Sequence, residues 1–506
     1  MNNKTTICSE NTCTLCKACV SICPVGCVAL KKDDLNNEYA VKGEKCINCN
    51  LCEKVCPANK ETEFDDIKKC YAAWSLNSII RKQSASGGIA TELYRYELQH
   101  MSGAVVGVSI KNNKAIYTIG EDVSEIKQYQ NSKYTLGDTN IVYQEIKERL
   151  ENGKSVTFIG VPCHVAGLKN YLMFSKINIE KLFCVDLVCH GCVSPDYLQE
   201  HVQYIEKKKH IEVDDINFRN PLYGTENYVF TMSSNGKVQY KKKVYRNDAY
   251  QVGYHKGVIY RDCCYSCKYA KESRVGDISL ADFSRVGSVI PTEYTNKNVS
   301  CILANSKKGI ERIKKMHELH MIYLEERPIE EETNYERQLH EATELSEEAN
   351  AFRKAYVRGM SFDQAIFKAC FKRIIKNELK PYRMQEILEI PVTIRNVHRL
   401  FGKNASSIKG KLKSFYHFIK GQNLWLRPNG HNLDEMLYLI DCVEKSSDDY
   451  IMFMIHSSEL MPGGSPTFKC EEDIEKLYHD LEIIFERISK GFEGTTVSEY
   501  GNSILA

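Results

Sequence analysis

The sequence predicts an α+β fold in three parts: a small cysteine-rich N-terminal domain, a mixed α/β body and a C-terminal α/β segment. Three observations predict this division. Ten of the 22 cysteines lie within the first 56 of 506 residues. From about residue 70, apolar β-branched runs alternate with helix-like patterns, and beyond about residue 360 the chain becomes basic. The length fits two to four domains at about 150 residues each.

The composition of the whole chain narrows the function classes. A net charge of +2 at pH 7 is too small to indicate a nucleic-acid-binding protein. The sequence has no run of about 18 apolar residues, and its start, MNNKTTICSE, has neither the basic beginning nor the apolar core of a secretory signal. We therefore predict a cytoplasmic protein without a transmembrane segment. In that reducing compartment, clustered cysteines indicate metal binding rather than disulfides.

Residues 1–62 form the first predicted domain. Two runs, CTLCKACVSICP from Cys13 and CINCNLCEKVCP from Cys46, both read C-x2-C-x2-C-x3-C-P, and each cysteine of the second run lies 33 positions after its counterpart. In bacterial ferredoxins with this spacing, the fourth cysteine of each run binds the other cluster. Cys8 and Cys27 fall outside the pattern and are predicted to be free thiols. The spacing predicts two 4Fe-4S clusters, one held by Cys13, Cys16, Cys19 and Cys56 and the other by Cys46, Cys49, Cys52 and Cys23.

A pair of zinc sites is the alternative for these two runs. Zinc patterns normally pair two C-x2-C units across a long gap, whereas each run here holds four cysteines in eleven residues. Two clusters store and pass single electrons, and this small domain offers nothing that would bind an organic substrate. The group that exchanges electrons with it is therefore expected further along the chain.

Residues 70–155 form the first part of the predicted body. In SASGGIATELYRYELQ, Ser86, Gly87 and Gly88 precede a helix-like pattern. A glycine turn at a helix N-terminus lets backbone N–H groups approach an anion, and the helix dipole favours the negative charge. This would suit the pyrophosphate of a flavin or nucleotide. A plain N-cap before an amphipathic helix is the other interpretation.

Residues 156–360 form the second part of the body. A buried strand is predicted at 156–159, after which the chain turns into a helix that begins near a cysteine. A second predicted strand, LFCVDLVCHGCVSP, also ends in cysteines, and YRDCCYSCKYA adds a C-x2-C step. Four of these thiolates would suffice for zinc or an iron–sulfur cluster, and a structural role for buried cysteines is the third interpretation. The cysteines concerned are Cys163, Cys189, Cys192, Cys263, Cys264 and Cys267.

The motifs of the body also carry a family resemblance. SASGG, NSKY, GVPCHVAGLK, DLVCHG, NFRN, CYSCKYA and DISLADF occur in this order. The set resembles the family of coenzyme F-420 hydrogenase/dehydrogenase beta subunits, here as a ferredoxin-fused member, over roughly residues 1–325. The resemblance implies an iron–sulfur flavoprotein domain with FAD beside a third 4Fe-4S cluster. It implies that Ser86–Gly88 and Ser132–Tyr134 help to build the flavin or substrate pocket, and that the third cluster is ligated by Cys163, Cys189, Cys264 and Cys267.

Three positions depart from the family pattern. His164 follows a cysteine where glutamine is usual, Cys192 stands where a non-ligand is common, and Ala281 replaces the glycine usual before Asp282. Because His164 and Cys192 are close to the proposed cluster and flavin, we expect them to affect proton supply or cluster ligation.

Several polar residues are candidates for chemistry at the flavin, which connects one-electron clusters to two-electron organic reactions. Lys133, in NSKY with Ser132 and Tyr134, would place positive charge beside a reduced flavin anion. His164 and His190 are the candidate catalytic residues, because imidazole transfers protons near pH 7. Arg219 would clamp a phosphate or carboxylate bidentately. The alternatives are a solvated lysine, histidines that cap backbone carbonyls, and a structural arginine ion pair.

The last third of the chain is predicted to contain a basic helical connector, residues 361–423, and a separate α/β segment, residues 424–506. The connector would make weak contact with an anionic membrane surface or pack on the acidic stretch near Glu330. The α/β segment is similar to the end of polysaccharide deacetylase-like proteins, notably in HSSELMPGGSP, with a predicted strand starting at Tyr450. Those enzymes bind their metal through an aspartate pair near the start of the catalytic domain and a pair of histidines on a later element. No such set precedes this segment, and its own aspartate pair, Asp448 and Asp449, stands just ahead of the predicted strand, so we expect no deacetylase chemistry.

The predicted function is that of a cytoplasmic iron–sulfur flavoenzyme. It would pass electrons from ferredoxin-type clusters through a third cluster and FAD to coenzyme F-420 or another small-molecule hydride acceptor. The expected partner is a soluble electron donor or acceptor protein. The alternatives are a reductase in surface polysaccharide biosynthesis, an electron-relay subunit without its own substrate, and a redox sensor, although the sequence has no evident output module for a sensor.

Overall fold

The computed structural model describes residues 6–224, 227–244, 248–295, 297–371, 382–384, 387–389, 392–397, 422–446, 448 and 450–500. The chain divides into two compact units, residues 1–370 and 371–506. Helices and mixed sheets occur together in the first unit, which confirms the predicted α+β class.

The first unit contains the N-terminal domain and the body. Its strands are β1 (Val28–Lys32), β2 (Glu38–Lys42), β3 (Lys69–Ser75), β4 (Ala104–Lys111), β5 (Lys114–Gly120), β6 (Val156–Gly160), β7 (Leu182–Leu187), β8 (Asp215–Asn217), β9 (Val229–Ser234), β10 (Lys237–Lys243), β11 (Ile278–Asp282), β12 (Ser300–Ala304) and β13 (Ile322–Arg327). Its helices are α1 (Ala18–Ile22), α2 (Leu51–Val55), α3 (Ser78–Gln83), α4 (Ile89–His100), α5 (Val142–Glu151), α6 (Pro162–Phe174), α7 (Pro195–Lys209), α8 (Ala249–His255), α9 (Asp262–Tyr265), α10 (Lys307–Glu318), α11 (Glu330–Thr333), α12 (Glu347–Val357) and α13 (Phe362–Ile366).

Eight strands form the central sheet, in the order β13-β3-β12-β11-β7-β6-β4-β5. The neighbours β11, β7, β6 and β4 run parallel, whereas the strands on either side pair antiparallel. Gly160 of β6 pairs with Asp186 of β7, and Leu187 pairs with Leu280 of β11. The carboxyl ends of these three strands therefore meet at one edge, which is where open parallel sheets bind ligands.

Both faces of the central sheet are buried. On β6, Phe158 packs in one core with helices α5 and α6, and the adjacent Ile159 packs in the other core with helices α4 and α10. Successive side chains of a strand point to opposite faces. Because helices cover both faces of the sheet, neither face of a central strand such as β6 meets water. This explains why the sequence of these strands is continuously apolar rather than alternating.

The N-terminal domain packs on helices α5 and α6 of the body. Its strands β1 and β2 form an antiparallel hairpin, and its helices α1 and α2 contact α6. Hydrogen bonds with long sequence separation fix the two parts together. They include Thr139 Oγ1 to the Cys16 carbonyl (3.1 Å), Asn170 Nδ2 to the Val55 carbonyl (3.1 Å), Ser194 Oγ to the Asn36 carbonyl (2.7 Å) and Tyr197 Oη to the Leu35 carbonyl (2.6 Å).

The second unit contains two short antiparallel strand pairs and two helices among its described residues. These elements are β14 (Tyr382–Met384), β15 (Ile387–Glu389), β16 (Ile394–Val397), β17 (Gln422–Trp425), α14 (Leu433–Glu444) and α15 (Glu471–Ser489). Most of the predicted basic connector lies outside the described residues. The predicted strand after Tyr450 is not regular: Met452 pairs with Thr393 and Met454 with Leu426 through isolated hydrogen bonds.

Among the helices of the described residues, none has the length and apolar character needed to cross a membrane.

Candidate functional site

Two cavities of the N-terminal domain are each lined by five cysteines. In both, three cysteines of one run meet the fourth cysteine of the other run, as the spacing predicts. The inner cysteine cavity is lined by Cys8, Cys13, Cys16, Cys19 and Cys56, and the outer cysteine cavity by Cys23, Cys27, Cys46, Cys49 and Cys52.

The fifth cysteine of each cavity was predicted to be a free thiol away from the pattern. Cys8 and Cys27 nevertheless line the cavities, and the Cys27 sulfur lies 3.6 Å from the Cys23 sulfur. Each cavity thus contains one more thiol than a 4Fe-4S cluster needs.

The backbone of the two cysteine runs repeats the same unusual conformation. Leu15 and Lys17 of the first run have φ of 54° and 58°, and their counterparts Asn48 and Asn50 have φ of 54° and 60°. Left-handed residues between right-handed ones form backbone concavities lined by N–H groups, which favour bound anions such as iron–sulfur clusters. The backbone therefore fits the same anionic group in both cavities.

The inner cysteine cavity lies directly against the body. A Cβ atom at Gly167 of helix α6 would lie only 2.8 Å from the Cys16 sulfur, so the absent side chain is what allows this close approach. Helix α6 begins beside Cys163, which lines a third cavity. Thr14 lines both the inner cavity and this third cavity.

The third cysteine cavity is lined by six cysteines at the carboxyl edge of the central sheet. Cys163 follows β6, two cysteines follow β7, and three come from α9 and the loop after it. Across the part of the chain that the structure describes, no three Cys, His, Asp or Glu side chains are arranged for a single metal ion. The thiols instead line a cavity: Cys163, Cys189, Cys192, Cys263, Cys264 and Cys267.

The structure brings together the four predicted ligands of the third cavity and adds two further thiols. The Cys192 amide donates to the Cys264 sulfur at 3.3 Å. A hydrogen bond from Cys264, together with the charge of Arg261, lowers the pKa of Cys263 to about 7. The choice of four ligands among the six thiols therefore stays a prediction.

A buried ion pair fixes the two segments that carry these cysteines. The Arg274 guanidinium donates to Asp186 Oδ1 through Nη2 at 2.6 Å and through Nε at 3.1 Å. It also donates to the carbonyl oxygen of Leu187, just before Cys189, and to that of Tyr269, just after Cys267. Arg274 therefore positions both cysteine segments.

A large cavity of about 460 Å³ opens beside the third cysteine cavity. This volume is in the range of small-molecule and cofactor sites. The wall between the two cavities is formed by residues 189–192, which line both. The other walls come from residues 84–86 and 88–91, 130–135, 159–161 and 280–282.

Most of the residues predicted to bind the cofactor line this large cavity: Ser86, Gly88, Ser132, Lys133, Tyr134 and Arg219. Gly87 does not. Its amide donates to Ser300 Oγ at 2.9 Å, and a Cβ atom there would lie 2.4 Å from the Ala73 carbonyl oxygen. Gly87 therefore packs the turn against β3 and β12, while Gly88, with φ of 88°, is the N-cap residue of helix α4 beside the cavity.

Two cations of the large cavity are held in different ways. Burial lowers the pKa of Lys133 to about 7, and its Nζ donates to the Gln130 carbonyl at 2.5 Å. Arg219 Nη1 lies 2.5 Å from Asp282 Oδ2, and its guanidinium stacks over the Tyr228 ring at 4.1 Å. The structural ion pair considered for Arg219 is therefore present, and it lies in the cavity wall.

The two candidate catalytic histidines lie in different surroundings. His190 lines both the third cavity and the large cavity. His164 is fully buried and does not line the large cavity. Its Nδ1 lies 3.2 Å from the hydroxyl of Tyr117, which does line it. Burial lowers the pKa of His164 to about 4, so its imidazole is neutral near pH 7.

Several residues that line these cavities were not predicted from the sequence. Tyr254 and Glu336 line the large cavity, and Arg261 lines the third cavity. Arg261 and Arg274 flank the C-x2-C step. Basic residues next to a cysteine-rich loop could therefore have indicated Arg261 from the sequence. Tyr254 and Glu336 had no comparable signal in the sequence.

Comparisons with known proteins match three segments of the chain. Residues 12–60 match the 4Fe-4S dicluster domain. Residues 70–142 match the N-terminal part, and residues 153–332 the C-terminal part, of the coenzyme F420 hydrogenase/dehydrogenase beta subunit. These matches end before residue 424, so the resemblance of the last segment to polysaccharide deacetylases has no support from them.

A curated relative is one of the subunits of the F(420)H(2) dehydrogenase of Methanosarcina mazei. The alignment of 206 residues has 23% identity, and it covers 38% of this chain and 57% of the relative. The chain thus spans little more than half the length of that protein. A chain from the F420-reducing [NiFe] hydrogenase complex of Methanosarcina barkeri matches with 19% identity and a TM-score of 0.37, covering 62% of this chain and 94% of that one.

Proposed function

Because the chain belongs to the family of coenzyme F420 hydrogenase/dehydrogenase beta subunits and carries a 4Fe-4S dicluster domain, we propose that it is an iron–sulfur flavoprotein oxidoreductase. It exchanges electrons with a partner protein through the dicluster domain. It passes them through a third cluster and FAD to coenzyme F420 or another small-molecule hydride acceptor, or in the reverse direction.

The order of the four cavities is the observation that carries this proposal. The outer and inner cysteine cavities belong to one small domain with exchanged fourth cysteines. The inner and third cavities share Thr14, and the third and large cavities share residues 189–192. Redox groups bound in these cavities would form a continuous series from Cys49, which is exposed, to the large cavity.

The residues around the cavities fit the proposed groups. Thiols are the ligands that iron–sulfur clusters use, and each of the three cysteine cavities has at least four. In the large cavity, Asn131 Oδ1 and Thr135 Oγ1 are buried polar atoms without a hydrogen-bond partner among the residues that the structure describes. Buried polar atoms are normally satisfied, so these two support a polar ligand such as FAD.

A flavin, when bound, exchanges single electrons with clusters and hydride with organic molecules. In the large cavity, Lys133 would hold a proton most readily when a negative charge is bound beside it, because burial alone disfavours its charged form. His190 would donate or accept a proton at the wall between the third cavity and the large cavity. Arg219 is already paired with Asp282, so we assign it to shaping and positioning the pocket.

The first test is anaerobic purification with iron, acid-labile sulfide and flavin measured on the same sample. We expect about twelve irons for three 4Fe-4S clusters and one FAD per chain. Hydride acceptors would then be screened, beginning with coenzyme F420 and nicotinamide nucleotides. Iron without flavin, even after reconstitution with FAD, would refute the proposal and favour an electron-relay subunit without its own substrate.

A further inference from the structure

Arg261 lies between the inner and the third cysteine cavities. It precedes helix α9, its side chain is only 3% exposed, and its backbone amide donates to the Cys192 carbonyl at 2.9 Å. Its Nη2 donates to the carbonyl oxygens of Cys13, at 3.0 Å, and Glu38, at 2.8 Å. One guanidinium therefore touches the N-terminal domain while it lines the cavity of the body.

The charge of Arg261 has no carboxylate partner. Within the described ranges, no Asp or Glu oxygen lies within ion-pair distance of its guanidinium, and its Nε is buried without a hydrogen-bond partner. Burial disfavours the charged form of Arg261, but the neighbouring cysteines Cys263, Cys13 and Cys264 raise its pKa above the usual value. A buried, unpaired cation is strongly unfavourable, so the fold requires negative charge in the adjoining cavities.

We propose that Arg261 sets the reduction potentials of both the inner cluster and the third cluster, and thereby links them energetically. The proposal rests on the proposed function, since it assumes clusters in both cavities. A positive charge and an added hydrogen-bond donor stabilise the more negative, reduced form of a cluster and raise its potential. Arg261 reaches the inner cavity through its hydrogen bond to Cys13, whereas neither Arg261 nor its hydrogen-bond partners Cys13 and Glu38 line the outer cavity, so we expect no measurable shift of the outer cluster.

The test compares Arg261→Gln with Arg261→Lys in redox titrations followed by electron paramagnetic resonance. We expect Arg261→Gln to shift the reduction equilibrium of the inner and third clusters by about tenfold toward the oxidised form, which is about 59 mV for one electron. Arg261→Lys keeps the charge and should stay near the wild-type potentials. The outer cluster should not change in either variant. The signals are assigned with Cys16→Ser, Cys264→Ser and Cys49→Ser.

A purely structural role makes a different prediction. It would make Arg261→Lys resemble Arg261→Gln, because both lose the guanidinium bridge to Cys13 and Glu38; that result would overturn the proposal, as would unchanged potentials in Arg261→Gln. If the Arg261→Gln variant loses iron, its reduction potentials cannot be compared with those of the wild type. The Thr14→Asp variant is then measured instead. A carboxylate in the wall shared by the two cavities should lower both potentials, and a shift of only one would refute the coupling.

Failure of the proposed function has a separate signature. If the wild-type protein contained iron for only two clusters, or showed no third cluster signal, the proposed function would fail before any variant was measured. If three signals were present in the wild type and Arg261→Gln left them unmoved, only the role of Arg261 would be lost.

Discussion

Replacing Arg274 with methionine should both destabilise the body and remove the proposed third cluster. The guanidinium and Asp186 are both almost fully buried. Removing one partner of a buried pair costs about 3–5 kcal/mol, because the remaining charge stays buried. Asp186 would keep two amide donors, from Val275 at 3.1 Å and Gly276 at 2.8 Å. We therefore expect the lower end, about 3 kcal/mol, which for a cooperative unit of 370 residues is a fall in Tm of about 4 °C.

The iron content gives the more specific readout for Arg274→Met. Arg274 donates to the carbonyls of Leu187 and Tyr269 at 3.0 and 3.2 Å, so its loss should release the segments that carry Cys189 and Cys267. We expect about four fewer irons per chain, with the dicluster domain still loaded. Iron and sulfide analysis beside thermal melting would measure both effects.

Arg327→Met is the matched control for this prediction. Arg327 and Glu331 form a comparably buried pair, with 2.7 Å between Nη2 and Oε1, but neither residue lines a cysteine cavity. We expect a similar fall in Tm with full iron content. Full iron in Arg274→Met, or equal iron loss in both variants, would refute the positioning role of Arg274.

Three further predictions test other parts of the molecule. Gly87→Ala places a Cβ atom 2.4 Å from the Ala73 carbonyl, so about 1–3 kcal/mol of overpacking should lower flavin content but not N-terminal iron; Gly494→Ala, where nothing lies within 4 Å, should change neither. Burial raises the pKa of Glu332 from 4.5 to about 8, so its contribution to stability is lost as pH rises through this window. Glu332→Gln should therefore shrink the difference in Tm between about pH 6 and about pH 8, and an unchanged difference would contradict that pKa. Removing residues 371–506 should leave iron content and dithionite reduction of the flavin intact, since all three cysteine cavities belong to the first unit; loss of either would assign the second unit to the active machinery.

The two cysteine cavities of the N-terminal domain could be predicted because the spacing of cysteines within a short stretch of sequence determines them. Two runs of identical spacing determine which cysteines meet, and even the left-handed residues fall at equivalent positions, such as Lys17 and Asn50. Strands β6 and β7 could be predicted from their apolar runs, whereas their parallel pairing, which brings Cys163 and Cys189 to one cavity, was found only in the structure.

The role of a residue next to a predicted ligand could not be predicted from local sequence. Cys163 and His164 are neighbours in helix α6, but successive helical residues point about 100° apart. Cys163 faces the third cavity, whereas His164 faces the core beside Tyr117. Gly87 and Gly88 are also neighbours, but Gly87 packs against β12 whereas Gly88 lines the large cavity. Arg261 depends on packing between the N-terminal domain and the body, more than 200 residues apart in sequence, which no local pattern records.

The series of cavities also predicts how the protein would fail in air. Cys49 of the outer cavity is exposed, while Cys13, Cys16, Cys19 and Cys56 of the inner cavity are buried. Oxidation of thiolates follows their exposure, so oxygen should remove iron from the outer cavity first. If the proposed function holds, a partly damaged protein would keep a flavin that small reagents can reduce but would no longer exchange electrons with its protein partner. Loss of partner-dependent turnover would then be the earliest sign of damage.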